Sequence, residues 1–132
     1  MTSWEGLNRR RFPRVKYPCL VTVWYEAEGE EEENREIFLT HTENLGTGGA
    51  AIICHKRFKL FAPIELEIDL LDMEAHVRCK GKIVWLVQRK DPDIRKPMVY
   101  DIGVEFQDLQ EEDAQRIAKI VQQLGKHQEN IA

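Results

Sequence analysis

Regular alternation of apolar and polar residues is the feature that most restricts how this chain can fold. Residues 64–70 read Ile-Glu-Leu-Glu-Ile-Asp-Leu, an unbroken alternation. Because successive side chains of a strand point to opposite faces, we expect this segment to bury one face and expose the other. Related patterns predict further strands at residues 17–26, 36–44, 50–54, 75–88 and 98–106.

The period changes to that of a helix after the last predicted strand. The apolar residues at helical spacing are Ala114, Ile117, Ile120, Val121 and Leu124. Asp108 followed by Glu111 fits a variant of the capping box, and Gly125 is predicted to end the helix. The pattern predicts an all-β dominated fold: a small six-stranded antiparallel, split β-barrel with one C-terminal amphipathic α-helix. This helix would cover an open barrel end or serve a partner.

The composition suits one packed domain of 132 residues, since 42% of them are hydrophobic and 32% are charged. We expect a flexible basic arm at residues 1–16, the barrel with its helix at 17–126 and a tail at 127–132. The net charge of −4 weighs against a globally basic surface for DNA. Residues 9–16 nevertheless carry five cations and no acid, which favours a small anionic ligand over a long polyanion.

The cysteines predict the cellular environment. Cys19, Cys54 and Cys79 are widely spaced and odd in number, which is typical of reduced, buried thiols in a cytoplasmic protein. No stretch approaches the length of a transmembrane helix, and the basic N-terminus lacks the apolar core of a signal peptide. We therefore expect a cytoplasmic location and no membrane insertion.

No pattern in the sequence predicts catalysis or a metal site. The four histidines do not fall at metal-ligand spacing, and the adjacent Cys54 and His55 would point to opposite faces of a strand. No Ser-His-Asp or Cys-His arrangement stands out. The run of glutamates at residues 26–36 is typical of a solvated surface. We therefore expect no enzymatic activity, no metal and no cofactor.

Two short segments carry the binding hypothesis. Residues 9–14 read Arg-Arg-Arg-Phe-Pro-Arg, and residues 44–49 read Asn-Leu-Gly-Thr-Gly-Gly before the strand at 50–54. A dinucleotide fingerprint or a P-loop needs its glycines to open a helix, so positive charge for a phosphate must come from elsewhere. Arginine provides it with a planar fork that suits guanine and phosphate. Alone, each segment also fits a solubilising arm or a tight turn.

Trp85 lies late in the predicted strand at 75–88. Val77, Cys79, Ile83 and Trp85 are spaced by multiples of two, so a core tryptophan is the ordinary interpretation. The functional alternative is a stacking platform for a base at the barrel surface.

Taken together, the two segments resemble the motifs of the PilZ domain, a bacterial receptor module for the second messenger cyclic di-GMP. Arg10 and Arg14 match the family's RxxxR arm, and Arg9 is the arginine often found just before it. Asn44 and Gly49 match its (D/N)xSxxG turn. Short motifs that appear in order on the expected elements are more specific than any of them alone.

The resemblance covers roughly residues 8–124 and has one departure. It extends to residues 81–85, to residues 100–106 and to the closing helix. Gly46 stands at the serine position of the turn motif, so a hydroxyl that would contact the ligand is missing. One ordinary hydrogen bond contributes roughly 0.5–1.5 kcal/mol, so this loss should weaken binding about tenfold or less.

The resemblance implies a receptor whose ligand is cyclic di-GMP, bound as a stacked, intercalated pair. The residues implied to contact it are Arg9, Arg10, Arg14, Asn44, Gly46, Gly49 and Trp85. The arginines would grip phosphates and guanine edges, the asparagine would hydrogen-bond a guanine, the glycines would permit close approach, and the tryptophan would form a side wall. Binding would order the arm and reshape a surface for an unidentified downstream protein.

Two other classes of function stay open. Some domains of this family act as adaptors without binding the nucleotide, for instance in type IV pilus or motility machinery, and Gly46 favours that interpretation. The intact arginine spacing argues against it. A single-stranded nucleic-acid binder could use the same arginines and aromatics, but the net negative charge argues against a nucleic-acid polymer as partner.

Overall fold

The computed structural model describes residues 14–26, 35–90, 93 and 95–131. The elements are β1 (Arg14–Val15), β2 (Leu20–Glu26), β3 (Arg35–Gly46), β4 (Gly49–Cys54), β5 (Pro63–Ile68), β6 (Val77–Gln88), β7 (Tyr100–Phe106) and α1 (Glu111–Ile131). Each of the six predicted strands is present, with ends that differ from the prediction by up to three residues. The acidic connection at residues 27–34 lies outside the described residues.

The strands close into a six-stranded antiparallel barrel, which confirms the predicted fold class. β2 pairs with β3 and β5, β4 pairs with β3 and β7, and β6 pairs with β5 and β7. The short β1 is an extra strand that pairs with the end of β3. Arg14 and Val15, which the sequence places in the arm, therefore belong to the sheet.

Branched aliphatic side chains fill the barrel interior. Val21 and Val23 of β2 point inwards and lie opposite Ile68 and Leu66 of β5, and all four are buried. Full burial of such a side chain stabilises the fold by about 1.5–3 kcal/mol. The period of two in the sequence therefore identifies the inner face of these strands correctly.

The helix α1 closes the barrel on the side of β1 and β3. Its apolar face joins the core through the buried Ile117 and Val121. Three acidic residues occupy its first turn, where they complement the positive end of the helix dipole. Packing of the helix against the barrel confirms the predicted covering role.

Two predictions about the ends of this helix are wrong. Asp108 does not cap it, because the Asp108 carboxylate accepts a hydrogen bond from the Lys80 backbone amide at 2.6 Å. The helix begins at Glu111 instead. Gly125 does not end the helix, which continues to Ile131. A Cβ at position 125 would lie 3.9 Å from Val15 Cγ1, so this part of the helix lies beside β1. A glycine within a helix costs only about 1 kcal/mol relative to alanine, and packing can compensate for it.

The three cysteines are unpaired and buried, as predicted. Burial raises the pKa of the Cys79 thiol to about 12, which keeps it protonated at neutral pH. In the described part of the chain, no helix has the length and apolar character needed to cross a membrane.

Candidate functional site

The end of the arginine arm meets the glycine turn. β1 pairs Arg14 with Gly46 and Val15 with Leu45. The Arg14 guanidinium donates from Nη1 to Asn44 Oδ1 at 3.4 Å, and the Ala51 backbone amide donates to the same oxygen at 3.2 Å. The side-chain carbonyl oxygen of Asn44 therefore accepts two hydrogen bonds, which fixes the orientation of its side-chain amide nitrogen.

A β-bulge in β3 turns Asn44 outwards. Thr42 pairs with Ile52 and Asn44 pairs with Ala51, so Glu43 is an extra residue in the ladder. Thr42 is buried and bonded to the Cys19 amide, so strict alternation would direct Asn44 to the interior as well. The bulge moves it to the outer face, as bulges beside functional sites often do.

A second bulge, in β6, has the same effect on Trp85. Ile83 pairs with Val104 and Trp85 pairs with Gly103, so Val84 is the extra residue. Trp85 therefore leaves the inner face that Ile83 occupies, and the core interpretation from the period of two is wrong. The half-buried indole lies on the outside of the barrel, as the stacking-platform interpretation requires.

Gly103 provides the surface on which this indole rests. A Cβ at position 103 would lie 2.0 Å from Trp85 Nε1, so only glycine allows the ring to approach the strand this closely. Asn44, Ala51, Gly103 and Trp85 form one row of cross-strand neighbours over four strands. At a strand spacing of about 4.8 Å, the two ends of this row lie about 14 Å apart.

The turn glycines have a structural role in the sheet. Within the described residues no glycine has a positive φ, so left-handed backbone freedom is not what this turn requires. A Cβ at Gly49 would lie 2.0 Å from the Val104 carbonyl oxygen, because β7 passes directly beside it. Gly48 accepts a hydrogen bond from the Phe106 amide at 2.9 Å, which ties the turn to β7.

A cleft of about 790 Å³ opens beside the turn. Its walls include Arg14, Thr47 and Gly48 from the turn region, Val84 from the β6 bulge and Ala118 from the helix. Its volume is within the usual range for a site that binds a small molecule. Glu105 and Glu111 also line it, and Arg14 is the one cation among its described lining residues. An anionic ligand in this cleft would need further positive charge.

The remaining predicted residues are placed as follows. Arg9 and Arg10 lie outside the described residues. Gly46 is buried at the end of β3, next to Arg14. Trp85 shares the outer face with Asn44 but lines a separate groove, and Val84 borders both cavities. Sequence reasoning missed Val84 and the helix wall, because neither carries a motif.

An ion-pair cluster beside this row was also missed. The Arg89 guanidinium donates to the Asp101 carboxylate from Nη2 at 2.8 Å and from Nε at 2.9 Å, and it also contacts Glu43. The hydrogen bonds from Arg89 lower the pKa of Asp101, whereas burial and the neighbouring Asp101 raise the pKa of Glu43. Arg89 and Asp101 lie far from Glu43 in the sequence, and Arg89 holds Glu43, the extra residue of the β3 bulge.

Comparison with known proteins identifies the family. The family model described as the PilZ domain matches residues 8–123. A search of curated proteins finds no match.

Three solved structures illustrate the likeness in fold. A structure of MrkH from K. pneumonia in its apo state has a TM-score of 0.68 at 15% identity, covering 91% of this chain and 51% of that one. The Bacillus subtilis inhibitor of motility MotI/DgrA has a TM-score of 0.64 at 20% identity, covering 89% and 53%. The PilZ domain of YcgR from Escherichia coli, with c-di-GMP, has a TM-score of 0.62 at 13% identity, covering 92% and 95%.

This chain thus spans about half the length of the MotI/DgrA and MrkH chains. At these identities the structures establish the fold. The family model spans most of the sequence and includes both the arginine arm and the glycine turn. On that match, the chain belongs to the PilZ domain family.

Proposed function

We propose that this protein is a receptor for cyclic di-GMP. The contact between Arg14 and Asn44 carries the proposal, because it joins the second arginine of the RxxxR motif to the first residue of the turn motif. A site that assembles two separated motifs on one outer face can present a guanidinium and an amide to one ligand. The YcgR and MrkH complexes with c-di-GMP, which share the fold, support the same ligand.

Each residue of the site would contribute a distinct contact. Arg14 would bind a phosphate or a guanine edge through its planar fork. Asn44 would donate from its amide nitrogen to a guanine acceptor. Trp85 would stack against a purine ring, because its half-buried indole lies on the outer face of the barrel against Gly103. Arg9 and Arg10 would add the positive charge that the cleft with its two carboxylates requires.

Binding would act through the arm and the helix. Val15 follows Arg14 directly, is buried and lies next to Gly125 of the helix. A ligand that orders the arm would therefore bias the position of α1 and so the surface offered to a downstream protein. The ligand would leave chemically unchanged, so the protein would act as a sensor rather than as an enzyme. We expect this sensor to be cytoplasmic.

Titration calorimetry of the full chain with cyclic di-GMP tests the proposal. We expect saturable binding to the wild type and at least about 100-fold weaker binding to Arg10→Ala/Arg14→Ala, since each lost charged hydrogen bond costs about 1.5–3 kcal/mol. The variant Arg95→Ala is the control. Arg95 is exposed on a loop and pairs with Asp93, so its loss should leave the affinity unchanged.

Restoring the missing hydroxyl sharpens the same experiment. Gly46→Ser should tighten binding by about tenfold or less if position 46 faces the ligand as the motif implies. Failure of the wild type to bind would overturn the receptor proposal. Equal binding by the wild type and the double arginine variant would show that another surface binds the nucleotide.

One observation favours a second candidate, an adaptor that does not bind the nucleotide. Gly46 removes the hydroxyl of the turn motif, and Gly49 is explained by packing against Val104 without any ligand. An adaptor would recognise a protein partner through its exposed surfaces. Absence of nucleotide binding by both the wild type and Gly46→Ser would support this candidate.

A further inference from the structure

A cationic loop with exposed apolar residues connects β4 to β5. We call residues 56–61, which read Lys-Arg-Phe-Lys-Leu-Phe, the basic loop. It carries three cations and no acid. Leu60 and Phe61 are 54% and 62% exposed, although both side chains are large and apolar. On a chain with a net charge of −4, this is a local reversal of charge.

The basic loop is anchored firmly from below. Phe58 is buried, and its ring makes an edge contact with Tyr25 at a centroid distance of 5.0 Å. The Lys56 Nζ atom lies 5.3 Å from the Tyr25 ring centroid, which holds the first cation over the same aromatic pair. With Phe58 directed inwards, its neighbours Arg57 and Lys59 are exposed on either side.

The tip of the loop holds an apolar side chain in an unfavourable conformation. The Ala62 amide donates to the Lys59 carbonyl at 3.2 Å, which makes Leu60 and Phe61 the central residues of a tight turn. Phe61 has a φ of 68°, where glycine is the preferred residue. Its amide also donates to the Ile83 carbonyl at 2.6 Å, so the turn is fixed to β6. An exposed phenylalanine kept at such a position points to a function for its side chain.

The surroundings of the tip are also cationic. The Lys82 Nζ atom lies 5.4 Å from the Phe61 ring centroid. A groove of about 690 Å³ separates the basic loop from Val84 and Trp85, and its described lining residues include Arg57 and Lys59 but no carboxylate. Glu105, the cross-strand neighbour of Lys82, is an acid close to this surface.

We propose that the basic loop is a peripheral docking surface for an anionic lipid bilayer. Leu60 and Phe61 enter the headgroup region, while the exposed Arg57 and Lys59 lie against the lipid phosphates. Two adjacent exposed apolar side chains at the tip of a tight turn suit a fluid interface, and the neighbouring cations match its charge. The basic loop borders the groove that Trp85 lines, but the interaction does not require the nucleotide or a membrane-spanning element.

Vesicle co-sedimentation of the full chain tests this proposal. The probes are vesicles of phosphatidylglycerol and phosphatidylcholine in equal parts, and vesicles of phosphatidylcholine alone. We expect binding to the anionic vesicles only, reduced at high salt. Arg57→Ala/Lys59→Ala should bind about 30-fold more weakly, because each basic residue near an anionic surface contributes about 1 kcal/mol, or about fivefold in affinity. Leu60→Ser/Phe61→Ser should weaken vesicle binding by at least about tenfold.

The chain offers a matched control in Leu71→Ser/Met73→Ser. These residues are also exposed and apolar at positive φ, but they lie among carboxylates, so the change should leave vesicle binding within about twofold. Circular dichroism of each variant confirms that it is folded. Absence of wild-type binding to anionic vesicles overturns the proposal, as does undiminished binding by both loop variants. The proposal is also overturned if Arg9→Ala/Arg10→Ala loses vesicle binding while both loop variants keep it, since the arm would then be the docking element.

Discussion

Two exposed loops display apolar side chains at positive φ but are held to the barrel by different forces. The basic loop is anchored by the buried ring of Phe58. The second loop, residues 69–74, which we call the carboxylate loop, exposes Leu71 and Met73 by 56% and 100%. The buried Leu70 fixes the start of this loop, and its tip is anchored by Arg116 of the helix, which donates to Asp72 from Nε at 3.0 Å and from Nη2 at 2.9 Å.

The comparison shows that the interaction that anchors a loop affects which charged side chains remain exposed on it. Apolar burial under the basic loop leaves Arg57 and Lys59 exposed. The carboxylate loop uses its own Asp72 for the anchor, and the Asp69 and Asp72 carboxylates also accept hydrogen bonds from the Leu71 and Glu74 amides. We therefore expect the first anchor to be insensitive to pH and the second to weaken in acid.

The largest expected effect comes from removing the apolar anchor. Phe58→Ala should lower the free energy of unfolding by about 3–5 kcal/mol, because it deletes a buried aromatic side chain and leaves a cavity beside Tyr25. Urea unfolding followed by circular dichroism measures this loss. A loss below about 1 kcal/mol would show that the loop does not depend on this ring.

A smaller effect is expected from removing the ionic anchor. Arg116→Met keeps the aliphatic packing and should lower the free energy of unfolding by about 1–2 kcal/mol near neutral pH. Partial burial raises the pKa of Asp72, but the hydrogen bonds from Arg116 and from the Glu74 amide outweigh it, so the pKa lies below its ordinary value of 3.8.

The sign of the pH dependence follows from this lowered pKa. A carboxylate with a depressed pKa in the folded state stabilises the protein above its unfolded pKa, and this contribution disappears as the pH falls through the folded value. The difference between wild type and Arg116→Met should therefore be complete above about pH 4 and shrink in stronger acid. The cost of Phe58→Ala should stay constant over the same range. A constant difference for both variants would refute the contrast between the anchors.

The smallest effect concerns the two strained tips. Phe61→Gly and Met73→Gly should each raise the free energy of unfolding by about 0.5–1 kcal/mol, because glycine adopts positive φ without steric conflict. The two variants should differ in vesicle binding, which only Phe61→Gly weakens. Thermal unfolding and co-sedimentation on the same samples measure both properties. A loss of stability in Met73→Gly would mean that this side chain makes a contact in the fold, and a loss in Phe61→Gly would mean that the Lys82 contact outweighs the relief of strain.

The fold was predictable because the strands alternate strictly where they line the core. Val21 with Val23, and Leu66 with Ile68, are recognisable from the period alone and are all buried. The helix was recognisable from its apolar spacing, but its ends were not. Asp108 resembles a cap in sequence, yet its carboxylate binds the Lys80 amide, a partner on another strand that local patterns cannot reveal.

The site was predictable only in part. Arg14 and Asn44 were found through motifs, and they do contact each other. The side of the barrel on which Trp85 lies was not predictable, because the bulge at Val84 changes the face after Ile83. The Arg89 cluster escaped notice for a different reason. Its members come from β3, β7 and the residue that follows β6, and only the closed barrel brings them together.

The two bulges make the site depend on residue count more than on residue identity. Glu43 and Val84 each add one position to a strand, and each addition places the next residue on the outer face. Substituting Val84 keeps this parity, whereas deleting it would send Trp85 into the core and move Leu86 outwards. A search for related sites that compares residue types alone would therefore miss the one-residue bulge that places the tryptophan on the outer face. An alignment that scores a single inserted residue at this point would detect the bulge.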